Sequence, residues 1–152
     1  MAPEAVIRSI ADAHKTMAGA LTPILVEINR QLGCVPLSAD AIIADVLNIS
    51  RADVAGVVSF YSDFRRIPPG RAHTKLCRAE ACQAAGGDLL AAHVKAKLGC
   101  GFGETTADGA ATLEAVYCFG NCALAPAAEI NGTLIGRATP AAVDAALLAT
   151  PR

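Results

Sequence analysis

The chain has 152 residues, of which 53% are hydrophobic, and it carries a net charge of −1 at pH 7. This length accommodates one domain or two small ones, and the apolar fraction is large enough to fill a buried core. The sequence has no basic block that would bind nucleic acid or an anionic membrane surface, and no stretch approaches the ~20 apolar residues of a membrane span, so we expect neither nucleic-acid binding nor direct membrane insertion.

The first part of the chain is predicted to be helical. Apolar residues recur at helical spacing in two segments, Val6, Ile10, Ala13 and Met17 in the first and Leu21, Ile24, Leu25, Ile28 and Leu32 in the second. Gly33 ends the second helix, and Pro36 prevents its continuation. Ser38 can cap a third helix, and Ser50 followed by Asp53 has the spacing of a capping box that starts a fourth.

A domain boundary is predicted at Ile67-Pro68-Pro69-Gly70. Two prolines and a glycine cannot extend a helix, so the helical pattern stops here. We therefore expect a helical bundle over residues 1–68 and a second domain over residues 69–152.

The second domain alternates strands and helices, which is the pattern of a small α/β layer structure. Strands are predicted over residues 73–77 and 112–118. Between them lies a helix that ends at Gly99 and whose apolar face is formed by Leu90, Val94 and Leu98.

The end of the chain is predicted to form a hairpin and a last helix. The hairpin covers residues 127–135 and turns at Asn131-Gly132, a favoured two-residue turn. Thr139 followed by Pro140 starts the helix, since proline is well suited to the first helical position. The fold class is thus α/β, with an N-terminal helical bundle.

Four of the six cysteines form two close pairs. Cys77 and Cys82 have four residues between them, Cys118 and Cys122 have three, and 35 residues separate the pairs. Cys77 and Cys118 end the two predicted strands, so adjacent strands would bring both pairs to one edge of the sheet. Two pairs of thiolates suit a two-iron centre with two ligands per iron.

Other uses of these cysteines remain open on the residues alone. Structural zinc sites accept gaps of two to four residues between cysteines, and buried free cysteines behave as small hydrophobic residues. A thiol–disulfide oxidoreductase is disfavoured because its reactive pair normally has the Cys-x-x-Cys spacing, which is absent. Cys34 and Cys100 have no partner at ligand spacing and are expected to be structural.

The N-terminus lacks the basic segment and apolar run of a secretory signal, so we expect a cytoplasmic protein. Cysteines in a reducing compartment are thiols or metal ligands rather than disulfides. This expectation also favours ligation.

The chain resembles the thioredoxin-like [2Fe–2S] ferredoxin family over nearly its whole length. The resemblance rests on the two cysteine pairs, on Phe119, Gly120 and Asn121 between the second pair and on Ala125-Pro126 after it, and is reinforced by Val35-Pro36, Val57-Val58-Ser59-Phe60-Tyr61, Gly103-Glu104-Thr105-Thr106, Asp108-Gly109 and Thr112-Leu113. It implies a helical N-terminal bundle, a thioredoxin-like C-terminal domain and one [2Fe–2S] cluster ligated by Cys77, Cys82, Cys118 and Cys122.

Within this family, the N-terminus and residues 61–64 look most like the gamma subunit of soluble, molybdenum-dependent, NAD-linked formate dehydrogenase. This resemblance implies a non-catalytic electron-transfer subunit. It also implies that FMN and NAD are bound by a partner subunit and that a large catalytic subunit belongs to the same complex. The equivalent subunits of respiratory NADH dehydrogenase and of NAD-linked hydrogenase remain alternatives. No catalytic residue is assigned to the chain.

Overall fold

The computed structural model of the protein describes residues 2–150. Its backbone contacts divide the chain into two compact units, Met1–Pro68 and Pro69–Arg152, which we call the helical unit and the α/β unit. The division falls between the two adjacent prolines.

The described part of the helical unit contains four α-helices, α1 (Pro3–His14), α2 (Leu21–Leu32), α3 (Ser38–Leu47) and α4 (Arg51–Phe60). Each helix turns an apolar face inward. The largest of the fully buried side chains are Ile7, Ile24, Leu25, Ile28, Val35, Ile43 and Val54. Burial of these faces stabilises the short helices, which would be marginal in isolation.

Two predicted helix ends are confirmed. Gly33 ends α2 in the left-handed region at φ +71°, and its N–H donates to the carbonyl of Asn29. At the start of α4, Ser50 Oγ accepts from the Asp53 N–H at 3.1 Å, and the Asp53 carboxylate accepts from the Ser50 N–H at 3.1 Å. This is the reciprocal capping box that the sequence indicates.

Two details of the helical prediction are wrong. Helix α1 ends at His14, so Met17 lies beyond it and is half exposed instead of extending its apolar face. Helix α3 begins at Ser38 with Leu37 in the capping position, and Ser38 makes no capping hydrogen bond. In both cases the apolar pattern predicted that a helix is present but did not predict which residue begins or ends it.

The α/β unit is built on a five-stranded mixed sheet of order β2-β3-β1-β4-β5. The strands are β1 (Ala72–Cys77), β2 (Glu104–Thr105), β3 (Ala111–Val116), β4 (Ala128–Ile130) and β5 (Thr133–Ile135). Strand β1 lies parallel to β3 and antiparallel to β4, whereas β2 and β5 form antiparallel edges. The predicted hairpin is therefore β4 and β5, turning at Asn131-Gly132.

Two longer helices pack on one face of this sheet, α6 (Asp88–Leu98) and α7 (Pro140–Ala149), after a single helical turn α5 (Glu80–Cys82). The segment between α5 and α6, Gln83–Gly87, leaves helical geometry, and Gly86 adopts φ +91°. The shared core contains Leu76, Leu90, Val94, Leu113, Ile130 and Val143.

Strand β2 was not expected from the sequence. Its two residues are exposed and pair with Leu113 and Thr112 of β3. A two-residue exposed strand carries no alternation of apolar and polar residues, so the sequence has no signal for it. None of the helices within residues 2–150 has the length and apolar character needed to cross a membrane.

Asp144 of α7 joins α7 to α6. Its two carboxylate oxygens lie 3.0 Å from His93 Nε2 and 3.0 Å from Lys97 Nζ. The hydrogen bond with His93, followed by that with Lys97, lowers the pKa of Asp144 below its ordinary value.

We expect Asp144→Asn to lower the melting temperature at pH 7. A lowered folded-state pKa stabilises the fold above the unfolded pKa of about 3.9, and this contribution is lost as pH falls through the folded-state value. The difference between wild type and variant, measured by circular dichroism, should therefore shrink towards pH 3. Asp12→Asn, which removes an exposed pair with Lys15 at the C-terminal end of α1, is the control. A difference that is unchanged at pH 3 would contradict the role of this carboxylate.

Candidate metal centre

The four predicted ligands meet at one edge of the sheet. Cys77 is the last residue of β1 and lies opposite Val116, the last residue of β3. Because these strands are adjacent and parallel, the segments that follow them leave the sheet at the same edge. Cys82 follows β1 at the end of α5, and Cys118 and Cys122 follow β3.

The local structure around three of the predicted ligands differs from the prediction. Strand β3 ends at Val116, so Cys118 lies in the loop beyond it rather than at the strand end. Cys82 and Cys122 were expected in loops, but Cys82 belongs to the helical turn α5 and Cys122 begins a 3-10 turn, Cys122–Leu124. None of these differences moves a thiol away from the shared edge.

The four thiols interact with one another as two pairs. Cys118 Sγ lies 3.6 Å from Cys122 Sγ. The Cys77 and Cys82 thiols share a hydrogen bond. The charge of Cys77 helps to raise the pKa of Cys122, and the charge of Cys122 helps to raise the pKa of Cys82. Among the described residues, no group of three or more His, Cys, Asp or Glu side chains is arranged as a metal-ion site. Two cysteine pairs at one sheet edge supply the number of sulfur donors that a two-iron centre with two ligands per iron requires.

The pairs differ in burial. Cys77 and Cys82 are 4% and 2% exposed and contact Ala127, whereas Cys118 and Cys122 are exposed. One half of the site therefore lies inside the α/β unit, and the other half lies at its surface.

Opposing effects separate the pKa values of the two buried thiols. Burial disfavours the thiolate of Cys77, but hydrogen bonds from the backbone of Ala79, from the Cys82 thiol and from the backbone of Cys118 and Phe119 outweigh it, and the pKa of Cys77 is lowered. Burial and the neighbouring Cys77 raise the pKa of Cys82. Since metals bind thiolates, binding of a metal at Cys82 would displace a proton.

The exposed pair, Cys118 and Cys122, lies on a segment whose backbone conformation is unusual. Cys118 has φ +96°, a left-handed conformation that side chains other than those of Asn and Asp rarely adopt and that costs about 1–3 kcal/mol. Gly120 has φ +77°, and its N–H donates to Cys118 Sγ at 3.2 Å. This turn directs both exposed thiols to the same side and gives one of them a backbone donor.

Two glycines make room for the ligand segments. A Cβ on Gly87 would lie 2.6 Å from the Cys82 carbonyl oxygen, and a Cβ on Gly136 would lie 2.8 Å from Leu124 Cβ. Sequence reasoning missed both residues. The sequence shows adjacent glycines at 86 and 87 but gives no sign that the second abuts a ligand, because this contact arises only when the segment folds back.

The cations that flank Cys77 are engaged with carboxylates. Lys75 Nζ lies 3.3 Å from Glu129 Oε1, and Arg78 Nη1 lies 2.7 Å from Asp88 Oδ1. The site therefore offers four sulfur donors, and the two cations beside it are paired with carboxylates. This set fits an iron–sulfur cluster.

The remaining cysteines lie elsewhere within their own units. Cys34 is buried in the helical unit, and Cys100 packs against the core of the α/β unit. Burial raises the pKa of both thiols. They behave as packing residues.

The chain is similar to curated proteins of known type. The sequence model of the thioredoxin-like [2Fe–2S] ferredoxin family matches residues 7–150. A subunit of NADH-quinone oxidoreductase from Pseudomonas aeruginosa is 40% identical over 113 residues, which cover 74% of this chain and 68% of that protein. The HndA subunit of an NADP-reducing hydrogenase from Solidesulfovibrio fructosivorans is 32% identical over 125 residues, which cover 82% of this chain and 73% of that protein.

A solved structure has the same fold. One chain of an NAD+-reducing [NiFe]-hydrogenase, crystallised in the air-oxidized state, superposes with a TM-score of 0.70 and 27% identity over 82% of this chain. The match covers 22% of the hydrogenase chain. This chain therefore spans about a fifth of the length of its structural relative.

Proposed function

Because the chain belongs to the thioredoxin-like [2Fe–2S] ferredoxin family, we propose that it is the electron-transfer subunit of an NAD-linked oxidoreductase complex. In this proposal the cluster is ligated by Cys77, Cys82, Cys118 and Cys122, and the complex is cytoplasmic. The observation that carries the proposal is the meeting of four thiols from two distant segments at one sheet edge, in two pairs.

The residues around the site have distinct roles. When bound, a [2Fe–2S] cluster takes up and releases single electrons. Cys77 and Cys82 hold the inner half in a dry environment, and the Gly120 N–H donates to the sulfur of Cys118 in the outer half. Burial and hydrogen bonds to sulfur are the features by which a protein sets the reduction potential of such a centre.

For the parent complex, we propose a soluble, molybdenum-dependent, NAD-linked formate dehydrogenase. The support is the resemblance of the N-terminus and of residues 61–64. A hydride donor releases two electrons whereas the centre accepts one, so the proposal places FMN and NAD on a partner subunit and the oxidation of formate on a large catalytic subunit. The chain itself contributes no catalytic residue.

The relatives support two alternative parent complexes. The sequence relatives are named as subunits of NADH-quinone oxidoreductase and of NADP-reducing hydrogenase, and the structural relative is an NAD+-reducing hydrogenase. The role of this chain is the same in each case, since only the electron donor or acceptor at the far end of the complex changes.

The test of the electron-transfer role is anaerobic purification of the full chain. We expect equal amounts of iron and acid-labile sulfide, two of each per chain, and an electron paramagnetic resonance signal after reduction with dithionite. A colourless protein with stoichiometric zinc would contradict the proposal in favour of a structural zinc site. A metal-free protein whose disulfide turns over with a thiol reductant would contradict it in favour of a thiol redox enzyme.

The parent complex is tested separately. The complex isolated through a tag on this chain is expected to reduce NAD with formate. Reduction of NAD with hydrogen, or oxidation of NADH with a quinone, would replace formate dehydrogenase by the corresponding alternative and leave the electron-transfer role in place.

A further inference from the structure

The segment that bears Cys82, residues 79–87, has its two ends joined by an ion pair. Arg78 precedes this segment and directly follows β1, and Asp88 follows it as the first residue of α6. Arg78 Nη1 lies 2.7 Å from Asp88 Oδ1. The two side chains thus close the Cys82 segment into a ring that is anchored on β1 at one end and on α6 at the other.

The Cys82 segment is not a continuous helix. Between α5 and α6 the backbone leaves helical geometry, with ψ 15° at Ala85 and φ +91° at Gly86. Because the regular hydrogen bonds of a helix stop at such a break, the position of Cys82 relative to α6 depends on other contacts. One of them is the hydrogen bond from Gln83 Nε2 to the Arg78 carbonyl at 2.7 Å, and another is the ion pair.

Arg78 is itself held on two further sides. Its backbone N–H donates to the Val116 carbonyl at the end of β3, at 2.7 Å. Its guanidinium carbon lies 5.6 Å from the centre of the Phe102 ring, and Lys95 Nζ lies 4.3 Å from the same centre. Cations at such distances are attracted to the face of an aromatic ring. The ring therefore supports the guanidinium that bridges to Asp88.

Phe102 is a fixed support, because the residues around it are hydrogen-bonded. The Gly103 N–H donates to the Leu113 carbonyl of β3 at 2.7 Å, and the Gly101 N–H donates to the Glu104 carboxylate at 2.6 Å. The Phe102 side chain packs against the core of the α/β unit. The position of the ring is thus set by the sheet and not by the Cys82 segment.

The Arg78–Asp88 pair differs from an ordinary surface ion pair, which contributes little to stability. Arg78 Nη1 is inaccessible to solvent, and its contact with Asp88 is an ion pair without the alignment of a hydrogen bond. A charge withdrawn from water needs a charged partner. Loss of the carboxylate would leave the guanidinium uncompensated, so that Arg78 would turn towards solvent and release the Cys82 segment.

We propose that Arg78 is a positioning residue for the buried ligand pair: paired with Asp88 and supported by Phe102, it holds the Cys82 segment against β1. The inference rests on the proposed function, because the ligands that Arg78 positions are those of the proposed cluster. Arg78 also joins the two ligand-bearing segments, since its backbone is bound to the end of β3, from which the segment with Cys118 departs.

The first measurement is the rate at which iron passes from the purified, cluster-loaded full chain to an excess of EDTA. We expect Arg78→Gln and Asp88→Asn each to speed this release about tenfold, the usual effect of losing a residue that orients metal ligands. The double variant should be no faster than either single variant, because each single change already breaks the pair. Arg78→Lys, which keeps the charge, should release iron more slowly than Arg78→Gln.

The second measurement does not depend on the cluster. After removal of the iron, the full chain is treated with iodoacetamide, and alkylation of each cysteine is followed by mass spectrometry of the digested protein. Cys82 is 2% exposed, and its alkylation should be faster in Arg78→Gln and Asp88→Asn by a factor similar to that for iron release. Cys100 lies in the same unit outside the segment and should react at the wild-type rate.

Lys75→Gln is the matched control for charge. Lys75 lies two residues before Cys77 and pairs with Glu129 of β4 at 3.3 Å, but β1 and β4 are already joined by backbone hydrogen bonds. Its removal takes the same charge from the neighbourhood of Cys77 without opening the Cys82 segment. Iron release and Cys82 alkylation should therefore stay at the wild-type rates.

The outcomes separate this inference from the proposed function. Wild-type rates in Asp88→Asn, an equal effect of Lys75→Gln, or faster alkylation of Cys82 and Cys100 together each overturn the positioning role and leave the electron-transfer role standing. Should Arg78→Gln fail to fold, Asp88→Asn, whose side chain is 65% exposed, decides alone. A wild-type chain without iron and sulfide overturns the electron-transfer role, and alkylation of Cys82 then still decides whether the ion pair holds the segment.

Discussion

Replacing Cys82 by alanine is expected to remove the iron and sulfide from the chain, whereas replacing Cys100 by alanine should leave both in place. Cys82 is 2% exposed and shares a hydrogen bond with Cys77, so solvent does not reach the position of its sulfur. Cys100 packs against the core of the α/β unit, and its replacement should cost about 1 kcal/mol of packing. Iron and sulfide analysis of the purified proteins gives the result directly.

The same outcome is expected for alanine at Cys77, Cys118 and Cys122, with Cys34→Ala as a second control in the helical unit. Equal cluster content in the Cys82 and Cys100 variants would show that the ligand set is wrong. Loss of iron in both control variants would show that cluster content reports general instability instead of ligation.

Gly87→Ala is expected to destabilise the α/β unit and to lower its cluster content. The new Cβ would lie 2.6 Å from the carbonyl oxygen of Cys82 and 2.9 Å from its carbonyl carbon. Both are backbone atoms and cannot rotate away, so the segment bearing Cys82 must shift. Overpacking of this kind costs about 1–3 kcal/mol, and the shift also misplaces a ligand. Melting temperature and iron per chain are the two measurements.

Gly56→Ala is the matched control. Gly56 lies within α4 and a Cβ there meets no atom within 4 Å. Alanine should stabilise this helix by about 0.5–1 kcal/mol without changing the iron content. A Gly87→Ala variant that matches wild type in both measurements would show that the Cys82 segment has room to adjust.

Much of the architecture could be predicted because it depends on local chemistry. The apolar face of α2 and the left-handed Gly33 at its end follow from spacing and from the freedom of glycine at positive φ. The capping box of Ser50 and Asp53 is likewise a relation between residues three apart. The grouping of the four cysteines depends on two short pairs that end or follow two strands, and these strands, β1 and β3, are adjacent.

The features that could not be predicted depend on contacts between distant segments. Strand β2 exists because β3 offers it a hydrogen-bonding edge. The left-handed backbone of Cys118 is imposed by the loop around it and opposes the intrinsic preference of the residue. The need for glycine at position 87 appears only when that segment lies against the carbonyl of Cys82. Interactions of this kind leave no periodic trace in the sequence.

The position of Cys77 on the central strand sets it apart from the other three predicted ligands. Strand β1 is hydrogen-bonded on both sides, to β3 and to β4, so the sheet fixes the backbone of Cys77, and the adjoining turn α5 carries Cys82. The outer half-site depends on a strained loop at the surface. The backbone of the inner cysteines is thus anchored by the sheet and the turn that follows it, whereas the exposed cysteines depend on the loop alone for their position.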